Sequence, residues 1–111
     1  MTKLNEFAPA WQVAEAVKSG AVPAEDVTRA ALDRIAALDP KINAFTDVTA
    51  ERALAEARQV DADRAAGKPL GPLAGVPMAA KNLFDITGLS TRAGSKINRE
   101  LPPAVEDGEL L

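Results

Sequence analysis

The sequence predicts an α/β fold, the N-terminal part of a larger one, that contains three helices and one or two strands. Apolar residues recur at helical spacing through the first 66 residues, and this periodicity disappears after Gly67. One apolar run beyond that point, Val76–Leu83, has the length and composition of a strand. We therefore expect a helical part over residues 1–66 and a strand with loops over residues 67–111.

The first helix is predicted to begin near the N-terminus and to end at Gly20. Its apolar residues recur at helical spacing and so share one face: Leu4, Phe7, Trp11, Ala14 and Val17. Glycine ends helices readily, because it adopts the left-handed conformation at a helix C-terminus without steric cost.

The second helix is predicted to begin near Pro23, since proline suits the first turn of a helix. Its apolar face is formed by Val27, Ala31, Ile35 and Leu38. We expect this helix to end before the Asp39-Pro40 pair, because a residue that precedes proline disfavours helical backbone angles.

The third helix is predicted to run from a Thr49 cap through Ala66, with Gly67 just past its end. Before it, the stretch INAFTDV (residues 42–48) predicts a short strand or an extended link. Arg52 and Glu56 are expected to pair on the exposed face of this helix, because they stand one turn apart.

Residues 84–111 show no regular pattern after the predicted strand. A long irregular segment fits poorly in a self-contained domain, and a lone strand cannot form a sheet. Near the end, Asp107 is predicted to cap a helix of barely one turn. We therefore expect residues 1–111 to be the front portion of a single larger domain.

Charge and hydropathy exclude several classes of partner. The net charge is −3, with acidic and basic residues interleaved and no basic block, which argues against nucleic-acid binding and against a polybasic membrane contact. The N-terminus lacks the apolar core of a signal peptide, and no apolar run approaches the length of a membrane span. A cytoplasmic location is the expectation.

The chain contains neither cysteine nor histidine. It therefore cannot hold the usual kinds of zinc site, and it cannot contain a Ser-His-Asp or Cys-His nucleophile pair. Because tyrosine is also absent, a general base would have to be a carboxylate or a lysine in its neutral form.

The loop GLSTRAGSK (residues 88–96) superficially resembles a phosphate-binding loop. The spacing between its glycines and the Ser-Lys order both differ from a Walker motif, so a glycine-permitted turn is the better interpretation. Ser90, Thr91 and Ser95 have no adjacent base that would activate them as nucleophiles, and we interpret them as turn-forming hydroxyls.

Lys81 is the unusual residue, because it interrupts the apolar run Val76–Leu83. One interpretation is a lysine on an edge strand that blocks strand-to-strand aggregation. The other is a functional lysine in a partly dry site, where desolvation favours the neutral amine and lets it act as a base. The small neighbours Ala79 and Ala80 would leave room around that amine.

The segment PLAGVPMAAKNLFDITGLSTRAGSK (residues 72–96) resembles the amidase signature family. That family carries a pattern close to L-x-G-(V/I/L)-P-x-x-x-K-(D/N), followed by a glycine loop that ends in A-G-S. The matching positions are Leu73, Gly75, Val76, Pro77 and Lys81, and then Gly88, Thr91, Ala93, Gly94 and Ser95. Upstream, residues 39–57 are also similar, so the resemblance covers nearly the whole chain.

The resemblance implies helices packed on a mixed sheet, with Lys81 on the first core strand. It also implies that Lys81 is the base of a Ser–cis-Ser–Lys triad that hydrolyses amides through an acyl-enzyme, without a metal or organic cofactor. Asn82 follows the lysine where many members have an acid, which makes the chain most similar to the 1-carboxybiuret hydrolase-type branch of amidohydrolases. That branch implies a small amide or carboxylated urea-type substrate, together with a homodimer or a small partner subunit.

The chain departs from the family pattern in one respect. The serine-glycine-rich segment that supplies both serines and the oxyanion donors is absent from the 111 residues. We therefore expect this chain to be an N-terminal fragment that is inactive alone. Two alternatives stay open: the amidase subunit of a glutamyl-tRNA amidotransferase-like complex, and a non-catalytic small helical interaction module.

Overall fold

A computed structural model describes Asn5 and residues 7–111 of the chain. The chain divides into two compact units, of which the first ends at Pro77 and the second comprises Met78–Leu111. The first unit contains three helices, as the hydrophobic periodicity predicts.

The first helix, α1, spans Ala10–Ser19 and begins later than its periodicity predicts. Pro9 occupies the N-cap with extended angles, so Phe7 precedes the helix and is exposed, while the predicted contribution of Leu4 lies outside the described residues. Trp11 is also exposed, whereas Ala14 and Val17 are buried. Gly20 ends the helix in the left-handed conformation, as predicted.

The second helix, α2, spans Ala24–Ile42 and continues through Pro40, so its predicted end before Asp39 is wrong. Pro40 cannot donate a helical hydrogen bond, but it lies in the last turn, where other groups complete the helix end. The Asp39 carbonyl accepts the Asn43 N–H at 2.6 Å, and its carboxylate accepts the N–H groups of Ala44 and Phe45 at 2.7 and 3.3 Å.

The third helix, α3, spans Ala50–Ala65 after an irregular link, so residues 42–48 form no strand. Thr49 takes the predicted N-cap position, but its side chain makes no capping hydrogen bond. Arg52 and Glu56 form the predicted ion pair, with Nε and Oε1 at 2.9 Å. Gly67 follows the helix with a φ of 73°, which glycine adopts without strain.

The core of the first unit is small. Its buried residues are Val17, Ala24 and Ala57, against which Val22, Val27 and Val60 pack. One residue of this cluster, Ala24, lies on α2 and another, Ala57, lies on α3. Because so little apolar surface is buried here, polar contacts between the helices carry much of the specificity of their packing.

One of these polar contacts joins Asp61 on α3 to the start of α2. Its two carboxylate oxygens accept the N–H groups of Ala24 and Glu25 at 2.7 and 3.0 Å. Those N–H groups have no partner within their own helix, because the first turn of any helix leaves its donors free. A carboxylate at this position also interacts favourably with the helix dipole. Asp61 therefore supplies the cap that Pro23 cannot.

A second polar contact between the helices centres on Glu25. Its Oε1 accepts hydrogen bonds from Arg29 on the same helix at 2.8 Å and from Nη2 of Arg58 on α3 at 3.1 Å. The hydrogen bonds from Arg58 and then Arg29 lower the pKa of the Glu25 carboxyl from its ordinary value of 4.5. Protonation of Glu25 should therefore weaken its link between α2 and α3.

The second unit contains a single short 3-10 helix, Lys96–Asn98, within its described residues. The predicted strand Val76–Leu83 does not form, and in residues 5 and 7–111 there is one isolated parallel bridge, Thr87 to Ala104, in place of a sheet. The expected mixed sheet is therefore not seen. The physical reason is the one that limits any lone strand: these residues offer no second strand to accept and donate its backbone hydrogen bonds.

None of the helices in the described part of the chain has the length and apolarity that a bilayer crossing requires.

Replacing Asp61 with alanine should lower the free energy of unfolding by about 1 kcal/mol, because α2 would lose its N-terminal cap. Urea unfolding followed by circular dichroism measures this loss. Asp63→Asn is a matched control two residues along the same helix, where the Asp63 carboxylate contacts only side chains, Gln59 and Lys68. An equal loss in both variants would contradict the capping role of Asp61.

Glu25→Gln should reduce the dependence of stability on pH. The pKa of Glu25 is lower in the folded chain than in the unfolded chain, so its stabilising contribution is complete above about pH 4.5 and is lost as the pH falls through the folded value. The difference in melting temperature between wild type and variant should therefore shrink from pH 7 to pH 3. Glu15→Gln serves as the control, and a constant difference for Glu25→Gln would refute the linkage.

Candidate functional site

Lys81 lies at the start of a turn in the second unit. Its carbonyl accepts the N–H of Phe84 at 3.1 Å, and its side chain is exposed. No residue in the described part of the chain forms an ion pair or hydrogen bond with its ammonium group. The edge-strand interpretation of Lys81 requires a strand, and the described residues around it form none.

Asn82, the next residue, makes three contacts with the glycine loop. Its Oδ1 accepts the N–H of Arg92 at 2.7 Å, and its Nδ2 donates to the carbonyl of Ser90 at 3.3 Å. Its own carbonyl accepts the N–H of Ala93 at 3.0 Å. The carboxamide thus satisfies a donor and an acceptor of the loop backbone at the same time.

The loop bends sharply directly after Arg92. Ala93 and Gly94 both have positive φ, 48° and 74°, and this conformation costs about 1–2 kcal/mol for a residue with a Cβ such as alanine. The Arg92 carbonyl accepts hydrogen bonds from the Asn98 side chain at 2.9 Å and the Ser95 N–H at 3.0 Å. The Nε of Arg92 is buried and has no partner among the described residues. The bend is therefore held through the main chain of Arg92.

The three loop hydroxyls form local hydrogen bonds. Thr91 donates to Asp85, Ser90 donates to the carbonyl of Leu101, and the Ser95 hydroxyl accepts the N–H of Ile97 at 3.4 Å. This geometry agrees with their interpretation as turn-forming residues. The partner of Thr91 is a carboxylate, whereas the partners of Ser90 and Ser95 are main-chain groups.

Asp107 does not cap a helix, which corrects the expectation for the C-terminal end. No helix follows it within the described residues, and its Oδ1 accepts both the N–H and the hydroxyl of Thr87 at 3.0 and 3.1 Å. The neighbouring Gly108 donates its N–H to the Asp85 carbonyl at 2.9 Å. The residue type of Asp107 favours a cap, but its partner stands 20 residues earlier, where no spacing rule would find it.

The glycine of the lysine-bearing motif, Gly75, belongs to the first unit and packs on α1. Its φ is 80°, and a Cβ at this position would lie 2.7 Å from Cγ2 of Val17, which is completely buried. Any side chain would therefore be strained in its backbone and would collide with the core. The motif requires glycine here for packing, independently of any chemistry at Lys81.

Comparison with known proteins shows which family this chain is similar to. A family model described as "Amidase" matches residues 26–110. AtzE, a 1-carboxybiuret hydrolase subunit of Pseudomonas sp. (strain ADP), is 55% identical over 100 residues, which are 90% of this chain and 22% of that protein. One subunit of the glutamyl-tRNA(Gln) amidotransferase of Salinispora tropica is 50% identical over 103 residues, 93% of this chain and 21% of that protein.

Solved structures give the same result. One is described as an unexpected vestigial protein complex that reveals the evolutionary origins of an s-triazine catabolic enzyme. It matches with a TM-score of 0.88 and 54% identity over 90% of this chain and 22% of the other. A bacterial aryl acylamidase of the amidase signature family matches with a TM-score of 0.82 and 28% identity over 88% of this chain and 20% of the other. The chain thus spans about a fifth of the length of these relatives.

Three glycine substitutions in the first unit separate the cost of backbone strain at Gly75 from the cost of the steric clash with Val17. Gly71→Ala should be nearly neutral, since its Cβ would meet open space at an ordinary φ. Gly67→Ala, with positive φ but open space, should cost about 1–2 kcal/mol. Gly75→Ala should cost about 1–3 kcal/mol more than that, because it also overpacks Val17. Denaturant unfolding measures all three, and equal losses at Gly67 and Gly75 would contradict the packing argument.

Proposed function

The chain belongs to the amidase signature family, and from this membership we propose that it forms the N-terminal part of an amide-hydrolysing enzyme in which Lys81 is the general base. The observation that carries the proposal is the 55% identity, across 90% of the chain, with a 1-carboxybiuret hydrolase subunit. A lysine is also one of the two kinds of base that the composition of these 111 residues allows, because they contain carboxylates and lysines but no histidine.

The proposed chemistry is that of a Ser–cis-Ser–Lys triad. The neutral Lys81 amine accepts a proton from a bridging serine, which accepts the proton of the nucleophilic serine as that oxygen attacks the amide carbonyl carbon. The protonated Lys81 returns this proton through the bridging serine to the nitrogen, which leaves as the carbon–nitrogen bond breaks, and water then hydrolyses the acyl-enzyme. No serine-glycine-rich segment occurs in the 111 residues, so we propose that both serines lie elsewhere in the enzyme and that this chain alone is inactive.

The described residues leave Lys81 exposed, so the partly dry site expected around a neutral amine would have to be completed by another segment of the enzyme. The Lys81 ammonium is exposed and has no partner among the described residues, so it is available to a serine from another segment. Its backbone is held by the turn to Phe84, and the adjacent Asn82 is hydrogen-bonded to the loop at Arg92. A base must keep a defined position relative to the group that it deprotonates, and these contacts restrain the main chain from which the Lys81 side chain extends.

We propose a small linear amide or a carboxylated urea-type compound as the substrate, by analogy with the 1-carboxybiuret hydrolase relative. That protein and the glutamyl-tRNA amidotransferase protein are both called subunits, and one structural relative is a protein complex. We therefore propose a homodimer or a small partner subunit for the enzyme. We also propose a cytoplasmic location and a reaction that needs no metal or organic cofactor.

A second candidate is the amidase subunit of a glutamyl-tRNA amidotransferase-like complex, which would use the same lysine to release ammonia from glutamine. The 50% identity over 103 residues with such a protein favours it. A third is a non-catalytic helical interaction module, for which the exposed Phe7 and Trp11 would provide apolar contact surface. These candidates differ in substrate or in activity, and the same assay separates them.

Lys81→Ala should lower kcat for amide hydrolysis by about 10²–10⁴-fold, because the triad would lose its base. The assay uses the protein extended along its reading frame, with the 111-residue chain measured in parallel, on linear amides, carboxylated urea compounds and glutamine. Lys96→Ala, which removes another exposed lysine of the same unit, should leave kcat unchanged.

Retained activity in a folded Lys81→Ala protein would overturn the assignment of the base. Activity of the 111-residue chain by itself would overturn the proposal that it is only part of the enzyme. Turnover of glutamine alone would favour the amidotransferase candidate, and no turnover by the extended wild-type protein would favour the interaction module.

A further inference from the structure

We infer that Asn82 is the positioning residue for Lys81, and that it acts by tying the lysine to the backbone of the loop at residues 90–93. This inference rests on the proposed role of Lys81 as a base. The carboxamide itself contacts only the loop, so Asn82 would influence the reaction through the placement of its neighbour.

The contacts of Asn82 reach both sides of one stretch of loop. The Arg92 N–H donates to Oδ1 at 2.7 Å, the Ser90 carbonyl accepts from Nδ2 at 3.3 Å, and the Ala93 N–H donates to the Asn82 carbonyl at 3.0 Å. Two of these bonds depend on the side chain and one on the main chain. Lys81 is joined to Asn82 by one peptide unit. These three hydrogen bonds therefore restrain the position of the Lys81 backbone relative to the loop.

The stretch of loop that Asn82 holds is also strained. Ala93 has a φ of 48°, in the left-handed region that residues with a Cβ rarely adopt. Strained backbone persists only where the surrounding residues hold it. Here Arg92, the residue before Ala93, is held on both sides: its N–H donates to Asn82 and its carbonyl accepts from Asn98. Loss of the Asn82 side chain should therefore release the bend.

The chemistry of the contact requires an amide. Asparagine offers an acceptor and a donor in one plane, and the loop presents a donor at Arg92 and an acceptor at Ser90. An aspartate would still accept from Arg92, but its second oxygen would face the Ser90 carbonyl without a proton between them. The residue type at position 82 therefore decides whether the Arg92 N–H and the Ser90 carbonyl both find a hydrogen-bond partner.

The experiment compares Asn82→Ala and Asn82→Asp with wild type in the protein extended along its reading frame. Asn82→Ala should lower kcat by up to about 100-fold with little change in KM, because displacement of a reacting group by about 1 Å can cost that much. Asn82→Asp should lower kcat by less, since it keeps the bond to Arg92. Hydrogen exchange of the peptide that contains residues 90–93 should be faster in Asn82→Ala.

Asn43→Ala is the matched control, because it also removes a carboxamide and strains a backbone with positive φ, but in the first unit at the end of α2. It should lower the melting temperature and leave kcat unchanged. If Asn82→Ala changes kcat no more than Asn43→Ala does at a comparable loss of stability, the positioning role is refuted. Unchanged exchange at residues 90–93 in Asn82→Ala would also refute it.

The Lys81→Ala protein distinguishes the two proposals. If Lys81→Ala is inactive while Asn82→Ala has the wild-type kcat, only the positioning role fails. If Lys81→Ala retains its activity, the proposed base fails, and the exchange data alone then report whether Asn82 holds the loop.

Discussion

The second unit depends on one constraint: its backbone polar groups must find partners without a sheet. Within residues 78–111 a single isolated bridge takes the place of strand pairing. Side chains supply what a neighbouring strand would otherwise provide, with Asn82, Asn98 and Asp107 each bonded to distant main-chain groups. A buried N–H or carbonyl without a partner is costly, so these contacts dictate where the chain can bend.

The first unit pairs its backbone polar groups mainly within its three helices. The buried apolar residues among those described, Ala14, Val17, Ala24 and Ala57, offer little burial energy, so the relative placement of α2 and α3 relies on groups that suit only one arrangement. The Asp61 carboxylate fits the free N–H groups of one helix end, and Glu25 accepts from arginines on both helices. Gly75 completes this unit, because its missing Cβ makes room for Val17.

The candidate site combines an available side chain with a restrained backbone. The Lys81 side chain is exposed, while the main chain beside it is held by a turn and by the contacts of Asn82. A base that serves a serine from another segment would need both properties, since it must be accessible to its partner and yet fixed in position.

The sequence by itself determined the three α-helices of the first unit and their order, the Gly20 helix end, the Arg52–Glu56 pair and the family, because these depend on spacing along the chain or on a contiguous motif. It misjudged the end of α2 and the segment at residues 76–83. Pro40 predicts a helix stop, but Asp39 completes the helix end with its carboxylate, and a strand pattern has no effect without a second strand.

Only the tertiary structure decided the partners of Asp61, Asn82 and Asp107. Each binds groups that lie eight or more residues away in the chain, and no periodicity links an isolated polar residue to a backbone group at such a separation. The same holds for Gly75, whose motif position was evident while its reason, the approach to Val17, was not. Local sequence patterns predict helices because helical hydrogen bonds join residues that are close in the chain. The contacts of Asp61, Asn82 and Asp107 join groups that only the folded chain brings together.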